Sequence, residues 1–102
     1  MTHQLPLEPL LKECFQRLPV KVSIKDENFL SADLGLLESL NWKGSPCSAQ
    51  PFAEALKDMP GVSLEGNTLL VSRTVQTPEL DHLLKKINHV SNNICQDNLL
   101  NT

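Results

Sequence analysis

The chain has 102 residues, of which 40% are hydrophobic and 21% are charged, and its net charge is −3 at pH 7. This length and composition fit one small domain with a single core. Because there is no basic excess, the general attraction to a phosphate backbone is weak. No apolar run approaches the ~18 residues that a membrane-spanning helix needs, and the first residues lack the pattern of a signal peptide. We therefore expect an intracellular protein, cytoplasmic or nuclear.

The N-terminal part of the chain predicts a helix followed by a strand. Apolar residues three and four positions apart indicate one buried helix face over 8–18, and Pro19 ends that helix. From 20 to 25 apolar and polar residues alternate, which predicts a half-buried strand. The outer face of this strand carries Lys21 and Lys25.

Two further helices are expected in the middle of the chain. Leucines at helical spacing predict a helix over 31–40, with a serine at its N-cap and Leu36 outside the core stripe. The composition of 41–47 is typical of a turn. The next helix begins near Ser48 and ends at the Pro-Gly pair at 60–61.

A β-hairpin with a defined register is expected next. If Gly66-Asn67 is a two-residue turn, the pairing of the two strands is fixed. The predicted pairs are Glu65 with Thr68, Leu64 with Leu69, Ser63 with Leu70, and Val62 with Val71. Alternation places Val62, Leu64, Leu69 and Val71 on one face. Leu70 lies on the other face, so it is either exposed or covered by something beyond the hairpin.

The last helix has the strongest local signals. Thr77 occupies its N-cap and Pro78 its first position. Its apolar residues form a continuous stripe of Leu80, Leu83, Leu84, Ile87, Val90 and Ile94. This stripe would cover the domain, pair with a second copy or bind a partner. We expect 1–95 to form a single domain and 96–102 to be a disordered tail.

The predicted order of elements is helix, strand, helix, helix, strand, strand and helix. This order predicts an α+β fold, a small winged-helix-like domain (helix-strand-helix-helix-hairpin) with an additional C-terminal amphipathic helix. Winged-helix and helix-turn-helix domains serve binding far more often than catalysis, although a fold does not define a function.

The sequence contains no catalytic, cofactor or metal motif. His82 and His89 are seven positions apart, whereas two ligands on one helix are usually three or four apart. The cysteines, Cys14, Cys47 and Cys95, are widely separated and form no CxxC pair. We therefore expect no enzymatic activity, no cofactor and no metal site.

Trp42 is the only tryptophan and has two interpretations. It could anchor a partner or stack on a nucleobase. It could instead fill the core between the two middle helices, which we favour because the chain has only this Trp and three Phe as large aromatic side chains.

The run PFAEALKDMPGVSLEG at 51–66 resembles the end of a LOTUS domain, also called the OST-type helix-turn-helix. Leu40-Asn41-Trp42 would match the hydrophobic–Gly–aromatic step of that family. Met59-Pro60-Gly61-Val62 would match the close of the helix before the wing. The resemblance covers about 40–71 and implies a winged helix of the kind found in germline and RNA-regulatory proteins.

The LOTUS resemblance also implies two kinds of partner. Some members of the family bind a DEAD-box RNA helicase and carry an extra C-terminal helix, which the helix from Thr77 to about Val90 would match. Other members bind RNA, including G-rich folded RNA. The acidic balance of this chain favours the branch that binds protein.

Our leading hypothesis is a non-enzymatic protein–protein interaction module, an adaptor that would act in RNA regulation if the resemblance holds. The second helix and the outer side of the last helix supply the candidate partner-binding residues. These are Leu36, Glu38, Ser39, His82, Lys85, Lys86 and His89.

Two alternatives remain open. The first is direct RNA or DNA binding through the wing and the basic strand edge, which carry Lys21, Lys25, Asn67 and Arg73. The second is a homodimeric regulator joined through the C-terminal helix, with contacts at Leu80, Leu83, Leu84 and Ile87.

Overall fold

A computed structural model of the chain describes residues 7–75 and 77–99 and shows a mixed α+β fold. The described residues form three α-helices, one 3₁₀ helix, a four-stranded sheet and a small two-stranded hairpin. In chain order these are α1 (Leu7–Cys14), β1 (Lys21–Ile24), β2 (Phe29–Asp33), the 3₁₀ helix (Gly35–Ser39), β3 (Asn41–Trp42), β4 (Ser45–Pro46), α2 (Gln50–Leu56), β5 (Val62–Glu65), β6 (Thr68–Ser72) and α3 (Thr77–Asp97).

The four-stranded sheet is antiparallel and has the order β1-β2-β6-β5. Alternation along each strand gives it an apolar inner face, which packs with the apolar sides of the helices in one core. The most completely buried large side chains include Phe15, Phe52, Leu30, Leu69, Leu83 and Ile87. The rings of Phe15 and Phe52 meet at a centroid distance of 5.4 Å in a tilted arrangement.

The register predicted for the hairpin β5–β6 is confirmed at all four pairs, from Glu65–Thr68 to Val62–Val71. Gly66 has φ +61°, the conformation that a type II′ turn requires at its first central position. Leu70 is only 4% exposed, so it is covered rather than free. Leu70 lies on an inner strand of the sheet, β6, and is paired with Ser31 of β2 on one side and Ser63 of β5 on the other.

The helix predicted over 31–40 is wrong in its first part. Phe29–Asp33 is strand β2, and only Gly35–Ser39 is helical, as a 3₁₀ helix. The alternating burial along β2 has a period of two, whereas the leucines around it also fit a helical spacing. As a consequence, β1 pairs with β2, and β2 in turn pairs with β6 of the hairpin.

The other elements predicted for the first half of the chain are present, but they begin or end at different residues. Helix α1 stops at Cys14, and the turns that follow still bury Phe15 and Leu18. The predicted turn over 41–47 contains the small hairpin β3–β4. Ser48 Oγ accepts the N–H of Gln50 at 3.2 Å where α2 begins.

The apolar stripe of α3 covers the domain. Leu80, Leu83, Ile87, Val90 and Ile94 are buried, and Leu84 is partly buried against the core. The side chains of the expected dimer contact therefore pack in or against the core of the chain itself. No helix among the described residues is long and apolar enough to cross a membrane.

The C-terminal end of α3 extends beyond the predicted domain boundary at 95. The helix continues to Asp97, and the side chain of Asn98 hydrogen-bonds to Asn41. Residues 100–102, the rest of the predicted tail, lie outside the described residues. The side chain of Thr77, the predicted N-cap, also lies outside them.

Candidate interaction site

The hairpin β3–β4 turns through Lys43 and Gly44, with φ angles of +51° and +84°. Two successive residues with positive φ define a type I′ turn, the turn whose twist matches the two flanking strands. A residue other than glycine costs roughly 1–2 kcal/mol in this backbone region. Contacts from outside the hairpin help to offset this cost.

The end of α3 provides these contacts. Asn98 Oδ1 accepts the N–H of Asn41 at 2.7 Å, and Asn98 Nδ2 donates to the carbonyl oxygen of Asn41, also at 2.7 Å. Asp97 Oδ2 accepts the N–H of Lys43 at 3.1 Å. A carboxylate at a helix C-terminus opposes the helix dipole. Its bond to the hairpin gives Asp97 a structural role that offsets this cost.

A cavity of about 600 Å³ lies between this hairpin, α2 and α3. We call it the Trp42 groove. Its walls include Trp42 and Pro46 from the hairpin, Gln50 and Glu54 from α2, and Val90 and Asn93 from α3. A volume of this size is within the range of about 300–1,000 Å³ that is typical of ligand pockets.

Trp42 belongs to both the core and the groove. Its side chain is half-buried and packs against the core cluster, while it also lines the cavity. The ammonium of Lys43 lies 5.3 Å from the centroid of the indole ring. This is the geometry of a cation–π contact, so a ring face of Trp42 accommodates a cation.

Hydrogen bonds fix several polar groups around the groove. Gln50 Nε2 donates to Glu54 Oε1 at 3.1 Å on α2. On α3, Asn93 Nδ2 and His89 Nε2 are 3.3 Å apart, and Lys86 Nζ donates to the carbonyl oxygen of Ala55 at 3.3 Å. Lys86 and His89, from the predicted partner-binding set, therefore border the groove through Ala55 and Asn93.

The other predicted partner-binding residues lie elsewhere on the surface. Leu36, Glu38 and Ser39 are exposed on the 3₁₀ helix, and Leu36 is 63% exposed. His82 and Lys85 are exposed near the start of α3, where Lys85 Nζ is 3.1 Å from Asp81 Oδ2. The 3₁₀ helix adjoins the hairpin at the far end of α3. His82 is about 22 Å from that end at the ~1.5 Å rise of a helix, so the two groups do not form one surface.

The residues of the nucleic-acid alternative divide between the two ends of the sheet. Lys21 and Lys25 are about 13 Å apart at the ~3.3 Å rise of a strand. The carbonyl oxygen of Asn67, which accepts the N–H of Leu34 at 2.8 Å, lies at the Lys21 end. Arg73 lies at the Lys25 end, where its Nη1 is 3.4 Å from the carbonyl oxygen of Asp26.

Acidic side chains also interrupt this basic set. Asp33 is the strand partner of Lys21, and Asp26 and Glu27 follow Lys25 directly. The structure therefore brings no continuous basic strip together from these four residues, and their electrostatic attraction to a phosphate backbone is local and weak.

The three cysteines are free and buried. Burial raises the pKa of the Cys14 thiol above its ordinary 9.0, and the charge of Glu13 adds to this. The pKa of Cys47 is also raised, mainly by burial; a backbone hydrogen bond at Ser48 acts in the opposite direction, and the charge of Asp97 adds a smaller upward effect. Because the thiolate is the reactive form, these two thiols are poor nucleophiles at neutral pH.

A metal-binding cluster is not present in the described ranges 7–75 and 77–99, where no three His, Cys, Asp or Glu side chains are grouped suitably. In comparisons with known proteins, no family model matches the chain, and neither a curated protein nor a solved structure matches it.

The groove and the hydrogen bonds that hold its hairpin wall are not predicted from the sequence. Lys43-Gly44 between Trp42 and Ser45 is a hairpin signal, since X-Gly is the usual pair of a type I′ turn. Asn98 directly follows the last helix, where asparagine is a common terminator. No local pattern indicates that this asparagine pairs with the backbone of Asn41, 57 positions earlier.

Proposed function

We propose that this chain is a non-enzymatic protein–protein interaction module that binds an extended segment of a partner protein in the Trp42 groove. The bound segment places a basic side chain, Arg or Lys, against the indole ring of Trp42. The observation that carries the proposal is the ammonium of Lys43, 5.3 Å from the ring centroid of a tryptophan that lines a cavity.

Two groups of the groove, the indole ring of Trp42 and the carboxylate of Glu54, can receive a basic guest, whose charge would take the place of the Lys43 ammonium. A cation over a tryptophan ring contributes about 0.5–1 kcal/mol at an exposed site and about 2 kcal/mol when water is excluded. Lys43 is solvent-exposed, so its ammonium can return to water when a guest replaces it. The carboxylate of Glu54 lines the same cavity and supplies an acceptor for a guanidinium or ammonium.

The rigidity of the site also supports binding. Asn98 and Asp97 hold the hairpin at its backbone, so the position of Trp42 does not depend on a free loop. A partner that meets a pre-formed site loses less conformational entropy on binding. The non-enzymatic part of the proposal is supported by the burial of the thiols and by the raised pKa of Cys14 and Cys47.

A winged-helix-like domain is a more specific hypothesis for this α+β fold. Helix α2 leads directly into the hairpin β5–β6, which supports it, whereas strand β2 stands where that hypothesis expects a second helix. Under the LOTUS resemblance, RNA regulation and contact with a DEAD-box RNA helicase stay hypotheses. Such a helicase is the first named partner to test against the groove.

A selection from a displayed library of random peptides tests the proposed function. We expect enrichment of peptides that carry Arg or Lys, and about tenfold weaker binding to Glu54→Lys, which corresponds to ~1.4 kcal/mol. Glu27→Lys is the matched control, because Glu27 is exposed and does not line the groove. Equal loss in both variants would indicate general charge attraction. Enrichment of peptides without basic residues would reject the proposal.

A further inference from the structure

The two edge strands of the sheet differ in how their edges are protected. Within the described ranges, β1 and β5 are the outer strands, so each has one row of backbone groups without a strand partner there. Helix α1 contacts β1, and two exposed lysines flank that strand: Lys21 at its start and Lys25 directly after its end. Lysines of this kind discourage the addition of another strand. β5, with the sequence VSLE, contains neither lysine nor proline.

The hydrogen-bond register shows which groups of β5 point outward. In a hairpin with a two-residue turn, the pair that flanks the turn is hydrogen-bonded, and bonded and non-bonded pairs then alternate. Glu65 and Ser63 are therefore bonded to β6, and the N–H of Ser72 donating to Gly61 O at 2.7 Å continues the alternation. The N–H and C=O groups of Val62 and Leu64 consequently face away from β6. Among the described residues, no hydrogen bond to these groups is seen outside the sheet.

We propose that β5 accepts an extended segment of a partner protein as an antiparallel fifth strand of the sheet. The outward N–H and C=O groups of Val62 and Leu64 would make four backbone hydrogen bonds with two residues of that segment. The footprint is short, because Pro60 has no N–H to donate and Gly66 begins the turn at the other end.

The side chains of β5 define the chemistry of the incoming segment. Val62 and Leu64 lie on the inner face and are only partly buried, so apolar residues opposite them extend the core face. Ser63 and Glu65 are exposed on the outer face. They favour a small polar residue and a basic residue, respectively. Read from its N-terminus, the segment therefore has the pattern basic, apolar, small polar, apolar.

A second copy of the chain fits this edge less well than a peptide. Two β5 strands can pair around Ser63, but four residues bury far less than the ~800 Å² per partner of a standard stable interface. The two copies would also each bring a net charge of −3 and an acidic Glu65. A basic segment is complementary both to the net negative charge of the chain and to the carboxylate of Glu65.

Amide hydrogen exchange at β5 tests this inference, with a short capped peptide containing Lys-Val-Ser-Val as the probe. In the free chain, the amides of Val62 and Leu64 should exchange freely, whereas those of Ser63 and Glu65 are protected. A saturating concentration of the peptide should slow exchange at Val62 and Leu64 by at least about tenfold. Unchanged exchange at these two amides would overturn the inference. Protection that rises with chain concentration in the absence of peptide would overturn it in favour of a second copy.

Two variants make the test independent of any one substitution. Val62→Pro removes an outward N–H but no bond to β6, so the sheet should form and peptide protection should be lost at Leu64. Glu65→Lys should keep the sheet and weaken binding of the basic peptide by about tenfold, or ~1.4 kcal/mol. Neither residue lines the Trp42 groove, so failure here leaves the proposed function standing.

Discussion

Substitution of Asn98 by alanine removes the amide that joins the end of α3 to β3. Three hydrogen bonds are lost: the N–H of Asn41 to Oδ1, and Nδ2 to the carbonyl oxygens of Asn41 and Ile94. A typical hydrogen bond contributes a net ~0.5–1.5 kcal/mol. Because Asn41 is exposed, water can replace part of what is lost. We therefore expect Asn98→Ala to lower the free energy of unfolding by about 2 kcal/mol.

The measurement is urea unfolding followed by far-UV circular dichroism and by the emission of Trp42, the single tryptophan. A loss of ~2 kcal/mol corresponds to a fall in Tm of about 10 °C for a domain of this size. Asn88→Ala is the control on the same helix, because Asn88 is exposed, and it should leave stability within about 0.5 kcal/mol.

A second variant separates the donor from the acceptor of the Asn98 amide. Asn98→Asp keeps an acceptor for the N–H of Asn41 but brings a carboxylate against two carbonyl oxygens. It should therefore destabilise the chain at least as much as Asn98→Ala. If Asn98→Ala unfolds within about 0.5 kcal/mol of the unsubstituted chain, the structural role given to this asparagine is refuted.

Two further predictions concern the backbone at glycine and the buried thiols. Gly61→Ala should lower the free energy of unfolding in urea more than Gly66→Ala. Both glycines have positive φ, but only at Gly61 would the new Cβ lie 2.8 Å from Val75 Cγ2. Equal destabilisation by the two variants would contradict a steric effect of Val75. The free energy of unfolding should fall as pH rises above 9.0, because the pKa of Cys14 and of Cys47 is raised in the folded state, so the unfolded thiols ionise first. Urea midpoints measured from pH 7 upward check this prediction. If the double variant Cys14→Ala, Cys47→Ala shows the same decline with pH, the prediction is contradicted.

The elements that could be predicted from the sequence are those whose signals are local. The turn at Gly66-Asn67 fixes the register of β5–β6, because a two-residue loop allows only one pairing. The stripe of α3 continues over several turns, so its helix and its buried face follow from the spacing alone.

Strand β2 could not be recognised because its signals conflict. Leu30, Leu34 and Leu37 match one face of a helix, whereas only Leu30 and Ala32 mark the inner face of the strand. The partner that decides in favour of the strand is β6, almost forty positions later. Tertiary pairing here overrides a local helical pattern.

The candidate site was unpredictable for a related reason. The sequence offered Trp42 as either a core residue or an anchor, and the structure shows it in contact with both the core and a cavity. Asp97 and Asn98 hold the hairpin that forms one wall of that cavity, through hydrogen bonds to the backbone of Lys43 and Asn41. Contacts between a helix end and a distant hairpin leave no periodic pattern in the sequence.

The most direct test of the proposed function is a titration of Trp42 emission with one of the selected basic peptides. Because the chain has one tryptophan, the emission comes from Trp42, which lines the groove. We predict a saturable change in emission that Glu54→Lys weakens and that a peptide with Arg replaced by Gln does not produce. Binding of the basic peptide without any change in Trp42 emission would contradict the assignment of the groove as the binding site.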